Sequence, residues 1–321
     1  MLEIKNLTIG IKKGGELLKA VDNVSFTIKE GEILGLAGES GCGKTLTTLS
    51  IPNLLPPAAK ILSGEIVYNN RQLTTLDEKD LGRIRGREIS VIFQEVRSAL
   101  NPLLKAGDQI TETLELSGSR DIKKNKAAAL QLLEKLGFDD HEKIFNAYPH
   151  QLSGGMCQRV LAAAAAIGRP RLLLADEPST ALDTESQDRI LSLLMEMNRD
   201  YGTGILIVSH DLSIIQKFCS RYLIMYAGKI VEEGEAQALF SPLHPYTKAL
   251  VGAIPGRDKR GRELETIPGN VPSIEDRFPG CPFAPRCQKT KDPCRTIFPP
   301  ATEFNGGRVH CHFPETEAAD E

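Results

Sequence analysis

The sequence of 321 residues lacks three features that would place it in particular classes of protein. Its net charge is only −3, so no basic surface for nucleic acid or for an anionic membrane is predicted. No apolar run approaches the ~20 residues that a membrane-spanning helix needs, and the N-terminus begins without an apolar secretory segment. We therefore expect a cytoplasmic protein that binds no nucleic acid and reaches a membrane only through a partner.

Cysteine is scarce in most of the chain and crowded at its end. Cys42, Cys157 and Cys219 are scattered, whereas the other four of the seven cysteines lie between residues 281 and 311. In a reducing compartment, crowded cysteines favour a metal site over disulfides. The tail is also dense in proline and glycine from residue 241 onward, which indicates a boundary near residue 240.

Residues 38–45, Gly-Glu-Ser-Gly-Cys-Gly-Lys-Thr, match the phosphate-binding pattern G-x-x-x-x-G-K-[ST] without a mismatch. The preceding residues 32–37 are predicted to form a buried strand, and residues 46–55 a helix. In this context the glycines let backbone N–H groups surround phosphate oxygens, Lys44 supplies a cation, and Thr45 a hydroxyl for Mg²⁺. The alternative is a glycine-rich turn that only caps the helix.

Further apolar strands are predicted at residues 88–93, 171–176 and 205–208, and they alternate with helices. This order predicts a parallel, doubly wound sheet that binds ligands at the carboxyl ends of its strands. Gln94, Asp176 and His210 all lie at such ends. Residues 2–9 and 24–28 predict a separate small β layer, and the stretch from 104 to 166 a helical insertion between two sheet strands.

Asp176 and Glu177 close one of the predicted strands, and His210 closes the next. We hypothesise that Glu177 is the general base for an attacking water, that Asp176 holds Mg²⁺ through water, and that His210 reaches the terminal phosphate. An acidic pair at a strand end is equally compatible with a solvated turn, and a single histidine is more often structural.

The segment Leu152-Ser153-Gly154-Gly155-Met156 precedes a predicted helix. Ser153 fits an N-cap, and the glycines expose backbone donors at the positive end of the helix dipole, which suits an anion. Taken alone, a helix cap without a ligand explains the segment as well.

Together these motifs, with Ala181-Leu182-Asp183, resemble the ATP-binding cassette family in order and spacing over about 230 residues. The resemblance implies an α/β P-loop NTPase fold with a parallel sheet core, an antiparallel β layer and a helical insertion. It implies that Glu177 and His210 are catalytic, that Mg²⁺ is held through Thr45, Gln94 and Asp176, and that two cassettes enclose two ATP molecules. The nucleotide-binding residues that it implies are Ile11, Gly38, Glu39, Ser40, Gly41, Cys42, Gly43, Lys44, Thr45, Leu46, Gln94, Ser153, Gly154, Gly155 and Asp183.

Two positions depart from the family pattern. Met156 stands where many cassettes have glutamine, which matters little if Ser153 and the glycine backbone make the phosphate contacts. Ile11 stands where cassettes stack an aromatic side chain on adenine, so weaker contact with the base is expected.

The tail narrows the resemblance. Residues 241–247, 267–269 and 280–287 resemble the C-terminal extension of ATPase subunits from the peptide and nickel importer family. This implies a subunit that drives uptake of di- or oligopeptides, with nickel or another metal chelate as the alternative. The implied partners are two transmembrane permease subunits, a paralogous cassette subunit and, indirectly, an external substrate-binding protein, with the chain on the cytoplasmic face of the membrane.

The predicted domains are a nucleotide-binding domain at 1–240, with its helical insertion at about 100–168, and a small irregular extension at 241–321. A soluble cassette ATPase acting on DNA or ribosomes is the rival from another class. The single cassette, the mild negative charge and the absence of a long coiled coil between Gly43 and Ser153 disfavour it.

Cys281, Cys287, Cys294 and Cys311 have the spacing C-x₅-C-x₆-C-x₁₆-C. Four thiolates suit tetrahedral zinc or an iron–sulfur cluster, and the tight pairs typical of zinc sites are absent. The resemblance favours a [4Fe–4S] cluster, with Zn²⁺ or no metal as alternatives. His310 and His312 are expected to be surface or supporting residues. Because so irregular a tail can bury little apolar surface, a metal would supply much of its folding free energy.

Overall fold

A computed structural model describes residues 1–180, 182–254, 266–304 and 306–315, without the side chain of Arg97. The strands in these ranges are β1 (Leu2–Lys13), β2 (Glu16–Ile28), β3 (Ile33–Ala37), β4 (Ala59–Tyr68), β5 (Arg71–Gln72), β6 (Ile89–Ile92), β7 (Leu172–Asp176), β8 (Gly204–Val208), β9 (Arg221–Tyr226), β10 (Lys229–Glu235), β11 (Thr302–Phe304) and β12 (Gly307–Val309).

The helices in the same ranges are α1 (Lys44–Ser50), α2 (Glu78–Ile84), α3 (Val96–Ala99), α4 (Ala106–Leu116), α5 (Ile122–Lys135), α6 (His141–Asn146), α7 (Gly154–Ala166), α8 (Thr184–Tyr201), α9 (Leu212–Phe218), α10 (Pro245–Gly252) and α11 (Asp292–Thr296). Among the residues that the structure describes, no helix is both long and apolar enough to cross a membrane.

The chain divides into two compact units. Unit one comprises Met1 and residues 28–33 and 72–208, and unit two comprises residues 2–27, 34–71 and 209–321. Each unit therefore contains several separate stretches of chain. The predicted boundary near residue 240 lies within unit two and stays a prediction.

Unit one contains a parallel arrangement of three buried strands. Ile92 of β6 is in register with Ala175 of β7, and Asp176 of β7 with Val208 of β8. Residues 172–176 and 204–208 are all buried, as expected for parallel strands covered on both faces. Helices α3 to α7 lie in the chain between β6 and β7, so the helical stretch is inserted between two neighbouring strands of one sheet.

Unit two contains two groups of strands. In the first, β2, β1 and β4 are neighbours in that order, and β1 pairs with β4 in antiparallel fashion. In the second the order is β11, β12, β10, β9, β3, with β3 parallel to β9 and the other pairs antiparallel. The predicted α/β cassette fold, with parallel strands and an antiparallel layer, is confirmed by the solved structures described below.

The C-terminal extension shares the hydrophobic core of unit two. Phe283 lies edge-on to Tyr226 of β9, with ring centroids 5.4 Å apart, and Tyr226 lies 4.5 Å from Tyr246 of α10. Cys281, Phe283 and Cys294 are buried in the same cluster. The irregular tail thus buries apolar side chains against cassette strands rather than only among themselves, which the composition did not indicate.

Several predicted elements differ in length from those observed. The helix expected over residues 46–55 is α1, which begins at Lys44 and ends at Ser50, because three prolines, at positions 52, 56 and 57, follow closely. The first strand extends to Lys13 instead of residue 9, and the glycine pair at 14–15 forms the turn into β2.

Candidate functional site

The loop of residues 38–45 joins β3 to α1 in unit two, and its shape depends on glycine. Gly38, Gly41 and Gly43 have φ angles of 150°, 77° and 108°. A Cβ atom on Gly38 would lie 2.1 Å from the carbonyl oxygen of Met225 in β9. The backbone can therefore follow this path only with glycine at position 38, because both the conformation and the space exclude a side chain.

Lys44 is 6% exposed at the first position of α1. Its ammonium donates to the carbonyl oxygens of Gly38 at 2.8 Å and Glu39 at 3.0 Å. It lies 3.7 Å from the Cys42 sulfur, and burial raises the pKa of that thiol. The lysine is thus folded back over the loop. Thr45 and Leu46 follow it on α1 and are half-buried, and Ser40 is exposed.

Residues far along the chain hold Glu39 within the loop. Its N–H donates to the hydroxyl of Tyr246 at 2.9 Å, and its carboxylate accepts two bonds from the guanidinium of Arg286. Neither Tyr246 nor Arg286 was predicted from the sequence to be part of the site. No local signal could have found Arg286, because it lies 247 residues from Glu39 in the chain.

The acidic pair lies at the end of β7 in unit one. Asp176 is 2% exposed, and Glu177 has a φ of 49°, a left-handed conformation that is uncommon for residues other than glycine. The Glu177 N–H donates to Val208 at 3.0 Å, and the Thr180 hydroxyl donates to the Glu177 carboxylate at 2.9 Å. Uncommon backbone conformations held by neighbours cluster at functional sites.

Gln94 is brought to the same edge as this pair. It follows β6 by two residues, and because β6 and β7 are parallel, their carboxyl ends lie side by side. Gln94 is exposed. His210 follows β8 by two residues, is also exposed, and belongs to unit two. The structure therefore brings Gln94, Asp176 and Glu177 together within unit one.

The N-terminal tip of α7 in unit one is made by Ser153, Gly154 and Gly155. Ser153 is the N-cap, and its hydroxyl accepts from the Met156 N–H at 3.3 Å. Ser153 and Gly154 are exposed, and a Cβ atom on Gly154 would have no neighbour within 4 Å. The N-terminus of this 13-residue helix therefore faces open space, with its backbone donors and positive dipole end available to an anion.

Asp183 is the N-cap of α8 and is exposed. Its carboxylate accepts from the Ser186 N–H at 2.9 Å and from the Ser186 hydroxyl at 2.8 Å, which lower the pKa of Asp183. Its neighbour Ala181 lies outside the described residues. Ile11 lies in β1, half-buried and paired with Ala59 of β4.

The four crowded cysteines of the extension line one small pocket with Phe283, His244 and Phe313, here called the four-cysteine pocket. Burial first, with smaller contributions from the neighbouring thiols, raises the pKa of Cys281 to about 12 and that of Cys311 to about 11. Within the described ranges, however, no three His, Cys, Asp or Glu side chains form a group that could hold a metal ion.

The two histidines beside Cys311 face backbone carbonyl oxygens. Nδ1 of His310 lies 3.1 Å from the oxygen of Pro299, and Nε2 of His312 lies 3.0 Å from that of Ile297. The surface or supporting roles expected of these histidines stay predictions.

Comparison with protein families and known proteins gives a consistent result. The profile described as ABC transporter matches residues 21–180, and the one described as the C-terminal region of oligopeptide/dipeptide transporters matches residues 231–294. The chain is 42% identical to the oligopeptide transport ATP-binding protein AppD of Bacillus subtilis, over all of this chain and 99% of that protein. It is 41% identical to the dipeptide transport ATP-binding protein DppD of the same organism, over 99% and 96% of the two chains.

Solved structures give the same fold. A dimeric ATP-binding cassette, MJ0796, in a post-hydrolysis state with ADP and Pi is similar to this chain with a TM-score of 0.68 and 32% identity. The similarity covers 74% of this chain and 99% of that one.

Proposed function

Since the chain belongs to the family of ATP-binding subunits of oligopeptide and dipeptide ABC transporters, we propose that its ATP hydrolysis drives peptide import through two membrane-spanning permease subunits. The observation that carries this proposal is similarity along the full length, which includes the C-terminal region. The relatives are named for peptides, which favours peptide over nickel as cargo. The subunit would then lie on the cytoplasmic face, bound to the permease, with an external binding protein delivering the peptide.

Transport in reconstituted vesicles tests the cargo. The permease and binding-protein genes encoded beside this one are co-expressed with it, and uptake of a labelled dipeptide, a labelled oligopeptide and radioactive nickel is compared. We expect ATP-dependent uptake of peptide and none of nickel. Nickel uptake without peptide uptake would assign the alternative cargo.

Thr45, Gln94 and Asp176 carry oxygen donors, the ligand type that Mg²⁺ prefers, and their expected part in holding the ion, directly or through water, stays a prediction. When bound, Mg²⁺ neutralises charge on the phosphates. The glycines and Lys44 of the loop orient the nucleotide, and the amide of Gln94, which precedes α3 and the helical insertion, links this site to the permease. His210 then contacts the terminal phosphate.

We propose that the Glu177 carboxylate accepts the proton of the attacking water. Its bond from Thr180 and its constrained backbone support this role because they fix where the carboxylate points. Glu177→Gln should lower kcat by about 10²–10⁴-fold while ATP binding remains. Wild-type turnover in Glu177→Gln would remove the residue from this role. Glu134→Gln, on the exposed face of α5, serves as the matched control and should turn over normally.

The exposed tip of α7 supports an active site completed by a second cassette, whose Ser153, Gly154 and Gly155 would contact the terminal phosphate. Asp183 would then lie near the seam between cassettes. The dimeric MJ0796 cassettes support the same arrangement. Size-exclusion chromatography of Glu177→Gln with ATP, alone and mixed with the paralogous subunit, should show a dimer, and we expect the mixed pair to form more readily.

We further propose that the four-cysteine pocket holds a [4Fe–4S] cluster, with Zn²⁺ as the alternative. Four thiols lining one pocket supply the donor type that both groups use. Protein purified without oxygen should show visible absorption and iron, and Cys287→Ser should lose both while its ATPase changes less. Zinc without iron would assign the alternative, and unchanged absorption and iron in Cys287→Ser would remove Cys287 as a ligand.

A further inference from the structure

The C-terminal extension is hydrogen-bonded to the phosphate loop through the carboxylate of Glu39. Glu39, the second residue of the loop, accepts two hydrogen bonds from Arg286: Nη1 to Oε2 at 2.7 Å and Nη2 to Oε1 at 3.1 Å. The Arg286 side chain is 5% exposed and that of Glu39 is 27% exposed. Such a fork of two parallel bonds fixes both distance and orientation, which a single surface ion pair does not.

The rest of the Arg286 guanidinium is tied to the extension and to β9. Nε donates to the carbonyl oxygen of Pro268 at 2.8 Å, Nη2 to that of Ile267 at 3.3 Å, and Nη1 to the Tyr226 hydroxyl at 3.2 Å. With the bonds to Glu39, these use all five donors of the side chain. Arginine is therefore held rigidly, and lysine cannot reproduce the arrangement because it lacks the planar fork.

The backbone of the loop is held at the same residue. The Glu39 N–H donates to the hydroxyl of Tyr246, which is fully buried and packed against Phe283 of the extension. The next loop residues differ: Ser40 is exposed, and a Cβ atom on Gly41 would meet nothing within 4 Å. The loop is thus anchored at residue 39 and open just after it.

Anchoring at Glu39 bears on phosphate binding in two ways. The Glu39 carbonyl oxygen accepts from the Lys44 ammonium, so a shift of residue 39 would change how the lysine is held. The carboxylate also places a negative charge in the loop that the phosphates enter, and Arg286 compensates this charge.

We infer that Arg286 is a positioning residue for ATP binding, which acts through Glu39 and makes the C-terminal extension part of the phosphate loop's support. This inference rests on the proposed role of the loop as the ATP phosphate site. Without Arg286 the uncompensated Glu39 carboxylate repels the phosphates, and residue 39 of the loop loses its anchor. Removing the Glu39 charge as well restores part of the affinity for ATP.

The test measures affinity for a fluorescent ATP analogue, KM and kcat, melting temperature and visible absorption on the full-length protein. Arg286→Met should weaken binding and raise KM roughly tenfold with kcat at saturating ATP nearly unchanged, because binding rather than chemistry is lost. Glu39→Gln combined with Arg286→Met should bind more tightly than Arg286→Met alone. Arg286→Lys should lie between the wild type and Arg286→Met.

Arg295→Met is the matched control. Arg295 lies next to Cys294 as Arg286 lies next to Cys287, but it is exposed, so its removal should leave affinity and absorption unchanged. Wild-type affinity in Arg286→Met overturns the inference. So does a double variant that binds no better than Arg286→Met, since a purely structural role gives no rescue by removing a charge.

Two further variants keep the test decisive. Should Arg286→Met not fold, Tyr246→Phe, which removes only the hydroxyl that accepts from Glu39, should weaken binding about two- to fivefold; unchanged affinity in both Tyr246→Phe and Arg286→Lys overturns the inference. Lys44→Ala tests the underlying assignment in the same assay. If Lys44→Ala binds normally, the loop is not the phosphate site; if it loses binding while Arg286→Met does not, only the present inference fails.

Discussion

Two regions of this chain are proposed to contact phosphate, and they differ in how they are held. In unit two, Gly38 of the phosphate loop packs against Met225 of β9, and the Lys44 ammonium donates back to the Gly38 carbonyl oxygen. Arg286 of the extension donates to the Glu39 carboxylate of the same loop. The tip of α7 in unit one is exposed, and the side chain of Ser153 caps it. The loop is therefore held in place by contacts from its own chain, whereas the α7 tip is exposed to solvent.

Because the two regions are held differently, nucleotide binding and ATP turnover should report on different regions. Nucleotide affinity of the single chain should report on the loop, because the supporting contacts described above, from Met225, Tyr246 and Arg286, lie within unit two. Turnover should report on the tip, because we propose that it acts on nucleotide bound by another cassette. Variants in the two regions should accordingly change different measured quantities.

The largest effect on stability is expected when one methyl group is added to the phosphate loop, and the same change at the α7 tip serves as the comparison. Gly38→Ala places Cβ against the Met225 carbonyl oxygen at a φ of 150°, and strain together with overpacking should cost about 2–6 kcal/mol. Gly154→Ala meets nothing within 4 Å and should stabilise the helix slightly. Urea unfolding and ATP-analogue binding should show lower stability and weaker affinity for Gly38→Ala only. Equal stability and affinity of the two variants would contradict the proposed difference between the loop and the tip.

Lys44→Ala should have the next largest effect. We propose that the ammonium makes charge-assisted bonds to phosphate, so its removal should weaken ATP binding by about 1.5–3 kcal/mol, or roughly 10–150-fold. Isothermal titration with ATP and Mg²⁺ measures this loss. Lys143→Ala, an exposed lysine on α6, should bind as the wild type does.

A smaller effect is expected when the cap of α7 is removed. Ser153→Ala loses the bond to the Met156 N–H, which at 3.3 Å is long, so unfolding should become easier by about 0.5–1 kcal/mol. Affinity of the isolated chain for ATP should not change. Weakened binding in the isolated chain would show that the tip acts within one chain.

The smallest expected effect is on how the stability of the fold depends on pH. The backbone and side-chain bonds from Ser186 hold the pKa of Asp183 below its ordinary value of 3.8. The unfolded state therefore binds the proton more readily, so the contribution of this carboxylate to stability is present above about pH 4 and is lost as the pH falls through its folded value. Asp183→Asn should unfold in urea with a shallower loss of stability on acidification; an identical pH profile would contradict this.

Local pattern and resemblance predicted much of the cassette. The loop at 38–45, the strand ending in Asp176 and the N-cap at Ser153 depend on residues close in sequence, and each occurs as predicted. The placement of Gln94 and Asp176 at carboxyl ends of strands was also predicted, whereas the pairing and register of β6 with β7 were not.

The support of the loop could not be predicted. Arg286 and Tyr246 reach Glu39 through the fold of unit two, and hydrophobic periodicity carries no information about contacts 207 and 247 residues apart. The left-handed backbone at Glu177 was likewise unforeseen, because it is imposed by bonds from neighbouring elements rather than by residue type.

The central claim is that the terminal phosphate is held from two sides, by the loop of one cassette and the Ser153 tip of its partner. The most direct measurement is the ATPase rate of the purified importer with Ser153→Glu in every cassette, beside ATP-analogue binding by the single variant chain. We predict unchanged binding by the chain and a rate lower by at least about 10²-fold, because a carboxylate would face the phosphate. An undiminished rate would contradict the account.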